Sequence, residues 1–314
     1  MKLQEALREI QSLKKKVRSL TKKIDSIKAA SIEDPSHVEK MLKMRGINVF
    51  RKNPADRLFF PPDLPPFHKA RFYEMMKRYS FRLVLRDMIK YQDRFRIQDL
   101  THYCSSEVVQ GYCNLLGEMG AIIKNGRGKY RTCVFPLYSF GPTLEWFIAE
   151  VFKREFASPA IYGVSVKKTP SGGDYDVIAC WNQRLVYVEV KSSPPKGIER
   201  NEISTFFSRI DDILPEVALL FNDTQLRMKD KLVVMFEEEL ERRYGKESKT
   251  SYPVERLIEE LFHVQNHIFI VNSKKDVVEN FQFCLKHYLH YGPFPPPSLG
   301  RVTGTRHFYA LLRK

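Results

Sequence analysis

Two carboxylates and a lysine lie in neighbouring apolar segments near the middle of the chain. Asp176 precedes one apolar run, and Glu189 and Lys191 belong to the next. The polar break between the runs is centred on Asn182 and Gln183, and this pattern predicts a β-hairpin. With a two-residue turn, counting outward places Asp176 opposite Glu189, where opposed Cβ atoms are about 4.5–5.5 Å apart. Lys191 shares their face because side chains alternate along a strand.

Two carboxylates at this separation suit a hard cation such as Mg²⁺, and we expect Mn²⁺ to substitute for it. Mg²⁺ is bound through one or two carboxylates and keeps several waters for phosphate oxygens. The ion can lower the pKa of a bound water and stabilise charge on a phosphate, while a nearby lysine orients that water. The alternative is an edge hairpin whose alternating charges face solvent. Both faces of the strands are apolar, which favours a covered sheet where charges are paired or bound to metal.

The order of these residues resembles the PD-(D/E)XK nuclease superfamily, which has the restriction-endonuclease-like fold. The matching residues are Asp176 and then Glu189-Val190-Lys191 on the next strand, with Gly172-Gly173 shortly before the aspartate. The resemblance implies that Asp176 and Glu189 bind Mg²⁺ together with the backbone carbonyl of Val190. It also implies that Lys191 positions the attacking water. The Pro-Asp pair of the family's name is absent from this sequence.

Two further acids bear on this assignment. Asp174 shares the face of Asp176, and a slip of one residue pair in register would exchange their roles. The family places its aspartate directly before an apolar run, which favours Asp176. A helical pattern begins at Gly141, and Glu145 lies at the border of its apolar face. The superfamily often has a glutamate on such a helix, which implies that Glu145 binds a second metal or orients the site; an ordinary glutamate near a helix N-terminus is the alternative.

The segments around the hairpin alternate between strand and helix patterns. Over residues 138–291 the hydrophobic pattern predicts helices and strands in the order α-β-β-β-α-β-α-β-α. This order matches the nuclease core with an added helix, and the alternation favours a mixed sheet with helices on both faces. We therefore predict an α/β, restriction-endonuclease-like domain over residues 138–291.

Composition favours a protein that binds a polyanion. The chain has 314 residues and a formal net charge of +15, which is typical of nucleic-acid-binding proteins. No apolar run approaches the ~20 residues that span a bilayer, and the N-terminus is charged throughout, so we expect a cytoplasmic protein without a membrane segment. The five cysteines are scattered without C-x-x-C spacing. We expect reduced thiols, not disulfides or a zinc site.

The N-terminal segment has the most regular pattern in the chain. Apolar residues recur at alternating spacings of three and four from Leu3 to Ile27. β-Branched residues at one core position and leucines at the other favour a two-stranded parallel coiled coil, so we predict a homodimer through residues 1–30. A helix packed on its own chain is the alternative.

Residues 31–69 are rich in proline, and we predict a semi-rigid linker there.

The pattern of residues 70–137 predicts three helices, the first from Ala70 to about Lys90, followed by a hairpin with a glycine-rich tip. This order resembles a winged-helix domain. In such a domain the third helix enters the major groove and the wing contacts the DNA backbone. Cations on the wing suit phosphates, and amides on the third helix suit base edges. The candidate DNA-binding residues are Lys124, Arg127, Lys129, Arg131, Gln110 and Asn114. Winged helices also bind proteins, which is the alternative.

Residues 292–314 follow the last predicted helix after a proline-rich break, and we expect a C-terminal tail. The combination of modules predicts a Mg²⁺-dependent endonuclease that hydrolyses DNA, with duplex, branched and single-stranded DNA or RNA left open as substrates. One alternative is a catalytically inactive nuclease-like fold that binds DNA or has a regulatory role. Another is an oligomerising adaptor. The intact set of Asp176, Glu189 and Lys191 favours the enzyme.

Overall fold

The computed structural model describes residue 13 and residues 35–91, 94–126, 128–133, 137–167 and 169–293. The predicted coiled coil over residues 1–30 lies outside these residues except for Leu13, and so do Arg127 and the tail beyond residue 293. The chain forms two compact units, which we describe separately. The first contains Met1–Tyr187 and Ser208–Pro215, and the second contains Val188–Phe207 and Glu216–Lys314.

The N-terminal part of the first unit is mostly helical. Its elements are α1 (Pro35–Met44), β1 (Asn48–Arg51), α2 (Pro66–Met76), α3 (Tyr79–Tyr91), α4 (Ser106–Glu118), β2 (Ile122–Asn125) and β3 (Lys129–Thr132), with short 3₁₀ helices at Ala55–Arg57 and Ile97–Leu100. β2 and β3 form an antiparallel hairpin, and Phe95 makes a single bridge to Tyr130 of β3. Ser105 caps α4, its hydroxyl accepting a hydrogen bond from the N–H of Val108, as expected of a serine at this position.

The structure differs from the semi-rigid linker predicted over residues 31–69. Besides α1 and β1, this segment contributes Phe59 and Phe60, whose side chains are buried. Phe60 packs edge-to-face on Phe72 and on Trp146, with ring centroids 4.9 and 5.0 Å apart. Burial of these aromatic rings holds the proline-rich segment within the first unit.

A single helix predicted from Ala70 to Lys90 is two helices in the structure, α2 and α3. The guanidinium group of Arg82, on α3, is fully buried. It donates hydrogen bonds to the carbonyls of Met76 and Lys77, at 2.5 and 3.1 Å. Because the last carbonyls of a helix have no partner inside it, this buried cation satisfies the end of α2 and stabilises the break.

The C-terminal part of the first unit is a sheet packed against a helix. Helix α5 (Gly141–Glu155) precedes β4 (Ala160–Lys167) and β5 (Asp174–Trp181), and β6 (Arg184–Lys191) begins in this unit. The strand order is β1-β4-β5-β6, with β1 and β5 antiparallel to β4. Helix α5 contacts both β4 and β5. Most residues of these central strands are buried.

The second unit contains the end of β6 and four further strands, in the order β6-β7-β10-β9-β8. Its remaining elements are α6 (Arg200–Ile213, which ends in the first unit), β7 (Val217–Asn222), α7 (Val234–Tyr244), α8 (Ser248–Ser251), β8 (Val254–Ile258), β9 (Leu261–Val264), β10 (Ile268–Asn272) and α9 (Val277–Tyr291), with a 3₁₀ helix at Pro195–Gly197 and a π-helix at Lys229–Val233. β7 and β10 are parallel, and β9 is antiparallel to β10 and β8.

The predicted α/β class with a mixed, helix-flanked sheet is confirmed. Strands β4 to β7 and β10 lie where the sequence pattern predicts them, since long β-branched runs mark buried strands. Three short strands, β1, β8 and β9, were not predicted. Each has four or five residues, which is too short for a pattern to be distinguished from a loop.

Candidate active site

The hairpin that carries the candidate residues has the predicted two-residue turn. β5 ends at Trp181 and β6 begins at Arg184. Between them, Asn182 and Gln183 have φ values of 49° and 60°. Positive φ at both central residues is typical of a type I′ turn, whose twist matches that of the strands it joins. The sequence-based pairing of Asp176 with Glu189 depends on a turn of this kind.

Both carboxylate oxygens of Asp174 accept hydrogen bonds from neighbouring strands of the first unit. The hydroxyl of Ser165 on β4 donates to Oδ1, and Nη2 of Arg51 on β1 donates to Oδ2 at 2.8 Å. Nε of Arg51 also lies 3.1 Å from the Ser165 hydroxyl. Asp174 is therefore held in an ion pair, in contact with a cation from the segment that was predicted to be a linker.

Asp176 and Glu145 lie on the same face of the first unit. By the register of β4 with β5, Asp176 lies opposite Gly163, and opposed residues direct their Cβ atoms to one face. A Cβ atom built on Gly163 would lie 3.7 Å from Oε2 of Glu145. Helix α5 therefore brings a carboxylate to the strand position beside Asp176.

Gly163 is itself required by this arrangement. Its φ is +54°, and an added Cβ would lie 2.7 Å from Cδ of Pro54, closer than a side chain can approach. Asn53 fixes the approach of this segment, because its backbone N–H and its Oδ1 pair with the O and N–H of Tyr162 at 2.7 and 3.0 Å. No sequence motif marks Asn53, Pro54 or Gly163 as neighbours of the site.

The Gly172-Gly173 pair before β5 also has a backbone reason. The two φ values are +61° and +76°, and a Cβ on Gly173 would lie 3.1 Å from Nη2 of Arg209. Next to this loop, the hydroxyl of Tyr175 donates to Oδ2 of Asp212 at 3.0 Å. Burial is the main cause that raises the pKa of Tyr175. The glycines thus permit a tight entry into β5 just before the two aspartates.

Glu189, Lys191 and Glu202 form a cluster in the second unit. Nζ of Lys191 lies 3.0 Å from Oε1 of Glu189 and 2.8 Å from Oε1 of Glu202. The side chains are 2% exposed for Glu189, 17% for Lys191 and 32% for Glu202. The predicted pair on β6 is therefore in direct contact, and Glu202 from the first turn of α6 is a member that the sequence pattern did not identify.

The end of β6 is fixed by the end of β7. Nδ2 of Asn222 donates to the carbonyls of Lys191 and Ser193, at 3.1 and 2.6 Å. The backbone N–H of Asp223 also donates to the carbonyl of Lys191, at 2.8 Å. Asn222 and Asp223 are fully buried. The backbone that carries the lysine therefore has a fixed position, which is a condition for a site that must hold a reacting group in place.

Candidate oxygen ligands are present in each unit taken by itself. The first unit contributes the carboxylates of Asp176 and Glu145, and the second contributes Glu189 beside the buried Val190 of the same strand. Among the residues that the structure describes, no group of three or more His, Cys, Asp or Glu side chains is arranged to hold a metal. A donor set of one or two carboxylates with a carbonyl and waters is what Mg²⁺ uses.

The predicted DNA-binding residues lie on the β2–β3 hairpin and on α4 of the first unit. Lys124 and Arg131 are exposed and Lys129 is half-buried, with Nζ of Lys124 6.0 Å from the centre of the Tyr130 ring. The remaining candidate on the hairpin, Arg127, lies outside the described residues. On α4, the side-chain amide of Gln110 donates to Oδ1 of exposed Asn114 at 2.8 Å. The amide of half-buried Gln110 also donates to the hydroxyl of Tyr130 at 3.3 Å, so Gln110 faces the hairpin as well as Asn114.

Two findings bear on membrane segments and on the thiols. No helix within the described ranges is both long and apolar enough to span a membrane. Each of the five cysteines is free. Burial raises the pKa of the Cys113 thiol to about 12, so this cysteine is an apolar core residue and not a nucleophile.

Comparisons with known proteins show only distant likeness. No family model matches the sequence, and no curated protein matches it. Among solved structures, the protein VC1899 from Vibrio cholerae is 12% identical with a TM-score of 0.43, over 79% of this chain and 62% of that chain. Can2 from Sulfobacillus thermosulfidooxidans, solved with cyclic tetra-adenylate, is 12% identical with a TM-score of 0.38, over 60% of this chain and 52% of that chain. This chain thus spans less than two thirds of either protein.

Proposed function

We propose that this chain is a Mg²⁺-dependent endonuclease that hydrolyses phosphodiester bonds of DNA. One observation carries the proposal: at the end of a buried strand, the ammonium of Lys191 lies 3.0 Å from a carboxylate oxygen of Glu189, and their side chains are 17% and 2% exposed. Buried charges are costly unless they are paired or bound to a metal. Glu189 and Lys191 are two positions apart on one face of β6. This spacing matches the Glu-X-Lys pattern of the nuclease superfamily that the sequence resembles.

In this proposal Asp176, Glu189 and the backbone carbonyl of Val190 hold the Mg²⁺ ion. When bound, the ion supplies a water of lowered pKa and stabilises charge on the phosphate. Both carboxylate oxygens of Asp174 accept hydrogen bonds, from Arg51 and from Ser165. The choice of Asp176 rests on its place directly before an apolar run, which is where the superfamily that the sequence resembles has its aspartate.

Lys191 and Glu145 have supporting roles in the proposed reaction. The lysine ammonium has three N–H donors and no acceptor, so it orients a water by donating a hydrogen bond to the water's oxygen. That contact points the other lone pair of the oxygen at the phosphorus. Glu145 lies beside Asp176 on the same face. From there it orients the aspartate or adds a carboxylate for a second metal ion.

A second candidate function is favoured by the same ion pairs. A lysine between two carboxylates is also a common structural arrangement, in which the charges serve only to neutralise each other. In that case the chain is a nuclease-like fold without catalytic activity that binds DNA or regulates a partner. The two candidates differ in one measurable property, Mg²⁺-dependent cleavage.

We infer that the first unit supplies DNA binding. Helices α2, α3 and α4 followed by the β2–β3 hairpin have the element order of a winged-helix domain, and Lys124, Lys129 and Arg131 lie on that hairpin. Such cations bind phosphates and supply affinity more than sequence specificity.

We also propose that the chain forms a dimer through residues 1–30, so that deleting them should about halve the mass measured by light scattering. An unchanged mass would remove the coiled coil from the proposal.

The deciding experiment is cleavage of a panel of labelled substrates by the full chain. Duplex, branched and single-stranded DNA and single-stranded RNA are each incubated with Mg²⁺, with Mn²⁺ and with excess chelator. We expect cleavage of at least one DNA substrate with either metal and none with chelator, and loss of that cleavage in Glu189→Gln. DNA binding without cleavage under every condition would favour the second candidate, and cleavage of RNA alone would change the substrate.

A further inference from the structure

Glu202 contacts the one lysine of the proposed active site from outside the strand that carries it. Its Oε1 lies 2.8 Å from Nζ of Lys191, slightly closer than Oε1 of Glu189 at 3.0 Å. The two carboxylates belong to different elements, Glu202 to α6 and Glu189 to β6. Lys191 is therefore held from two sides, and the sequence motif accounts for only one of them.

Glu202 is itself fixed in position. Its second oxygen, Oε2, accepts a hydrogen bond of 2.9 Å from the backbone N–H of Glu199, just before the first turn of α6. A carboxylate at this point also interacts favourably with the N-terminal end of the helix. One oxygen of Glu202 thus fixes the side chain to the helix while the other contacts the lysine.

A lysine needs such a partner if it is to act at one point in space. Its four-carbon side chain is flexible, and holding it in one conformation costs considerable entropy. In the proposed enzyme Glu189 is also a ligand of the metal ion, so its charge is shared between the ion and Lys191. Glu202 is a partner whose carboxylate is not part of the proposed ligand set. Asp223, which is buried at the end of β7, approaches the same residue through its backbone N–H.

We propose that Glu202 is a positioning residue that holds the ammonium group of Lys191 in place for the attacking water. This inference rests on the proposed nuclease function. It assigns no contact between Glu202 and either the substrate or the metal ion. Removing its charge should therefore reduce turnover while leaving DNA affinity and metal affinity as they are.

The test compares Glu202→Gln with Glu238→Gln in the full chain. Glutamine keeps the length of the side chain and still accepts the hydrogen bond from Glu199, so α6 should remain intact. Glu238 is a suitable control because it is an exposed glutamate in an ion pair of 3.0 Å with Arg200 in the same unit. We expect Glu202→Gln to lower kcat about 10-fold with KM for DNA unchanged, Glu202→Asp to recover part of the loss, and Glu238→Gln to match the unsubstituted protein.

Two measurements do not depend on cleavage. The first is ¹³C relaxation at the ε-carbon of Lys191, assigned by the signal that disappears in Lys191→Arg. We expect this carbon to become mobile in Glu202→Gln and to stay rigid in Glu238→Gln. The second is Mn²⁺ affinity by electron paramagnetic resonance, which should be unchanged in Glu202→Gln and weakened in Glu189→Gln.

The outcomes separate this inference from the nuclease proposal. Unchanged kcat, or an ε-carbon that stays rigid in Glu202→Gln, overturns the positioning role even if the protein cleaves DNA. A loss of Mn²⁺ affinity in Glu202→Gln also overturns it, because Glu202 would then be a ligand. If the unsubstituted protein cleaves nothing, the nuclease proposal fails, and a mobile ε-carbon in Glu202→Gln still supports the contact on which this inference is built.

Discussion

Lys191 and the cations of the β2–β3 hairpin are the same kind of charge in opposite surroundings. Lys191 is mostly buried and lies within 3.0 Å of carboxylates from two elements. Lys124 and Arg131 are exposed, and the described residues place no carboxylate in ion-pair contact with either of them. A buried cation with fixed partners has one position, whereas an exposed one samples many.

This difference separates two kinds of work that a cation can do for a nuclease. Chemistry requires a group to be held close to one geometry, since small displacements of a reacting group are costly. Binding a polyanion requires only that positive charge be near phosphates, and it weakens as salt increases. We therefore expect substitutions in the buried cluster to change turnover and substitutions on the hairpin to change affinity and its dependence on salt.

The largest expected effect is that of Lys191→Met. Methionine has nearly the length of lysine but no charge, so we expect cleavage to fall by about 10²–10⁴, the range typical of groups that act on a reacting water. DNA affinity should change little. Lys196→Ala is the matched control, because Lys196 is an exposed lysine five residues further along the chain. A comparable loss in both variants would mean that burial is not what distinguishes Lys191.

Next in size is the contrast between the two aspartates of β5. Asp176→Asn should lower activity at least about 10–100-fold, a range found even for the partners of metal ligands, and should weaken Mn²⁺ binding. Asp174→Asn should retain activity. It should lose only about 0–1 kcal/mol of stability in urea denaturation, because the ion pair with Arg51 is partly exposed. The reverse pattern of activities would show that the register is slipped by one pair.

Acid should destabilise a different buried cluster, that of His263 and His287 in the second unit. Their rings lie 4.5 Å apart, and burial lowers their pKa values to about 4 and about 3. Folding therefore favours the neutral histidines. Their contribution to the free energy of unfolding is fully present above pH 6.5 and is lost as the pH falls towards 4. The expected loss is roughly 3 kcal/mol for His263 at pH 4.

Urea denaturation between pH 7 and pH 4 measures this effect. Replacing both histidines by phenylalanine should flatten the pH dependence, because the aromatic volume is kept and the titrating group is removed. A flat profile in the unsubstituted protein would mean that the histidine pair is not buried in solution.

The smallest expected effect is on the hairpin. Changing Arg127, Lys129 and Arg131 to alanine should weaken DNA binding several-fold and reduce the slope of log K against log salt by about 0.9 for each phosphate that is no longer neutralised. The matched control changes three exposed lysines of the second unit, Lys274, Lys275 and Lys286, which removes the same net charge. Equal weakening in both triple variants would mean that net charge alone, and not the hairpin, binds DNA.

The local part of the site could be predicted from the sequence. Asn182 tolerates positive φ, and the polar pair Asn182-Gln183 separates two β-branched runs, so the turn and the two strands are decided by neighbours in sequence. The periodicity on β6 likewise fixes Glu189 and Lys191 on one face. The same reasoning failed at β1 and at the supposed linker, where four-residue and proline-rich segments gain their structure from burial of Phe59 and Phe60 against the rest of the first unit.

The sequence by itself therefore determined which residue types lie on the hairpin, how they alternate and how the hairpin turns, because these depend on interactions over a few residues. Only the tertiary structure decided which distant groups meet them. Arg51 reaches Asp174 across 123 positions of the chain, and Glu202 reaches Lys191 from a helix with no motif of its own. Gly163 is needed because the Pro54 ring packs against it. Such contacts depend on the packing of whole elements, which no local pattern of residues encodes.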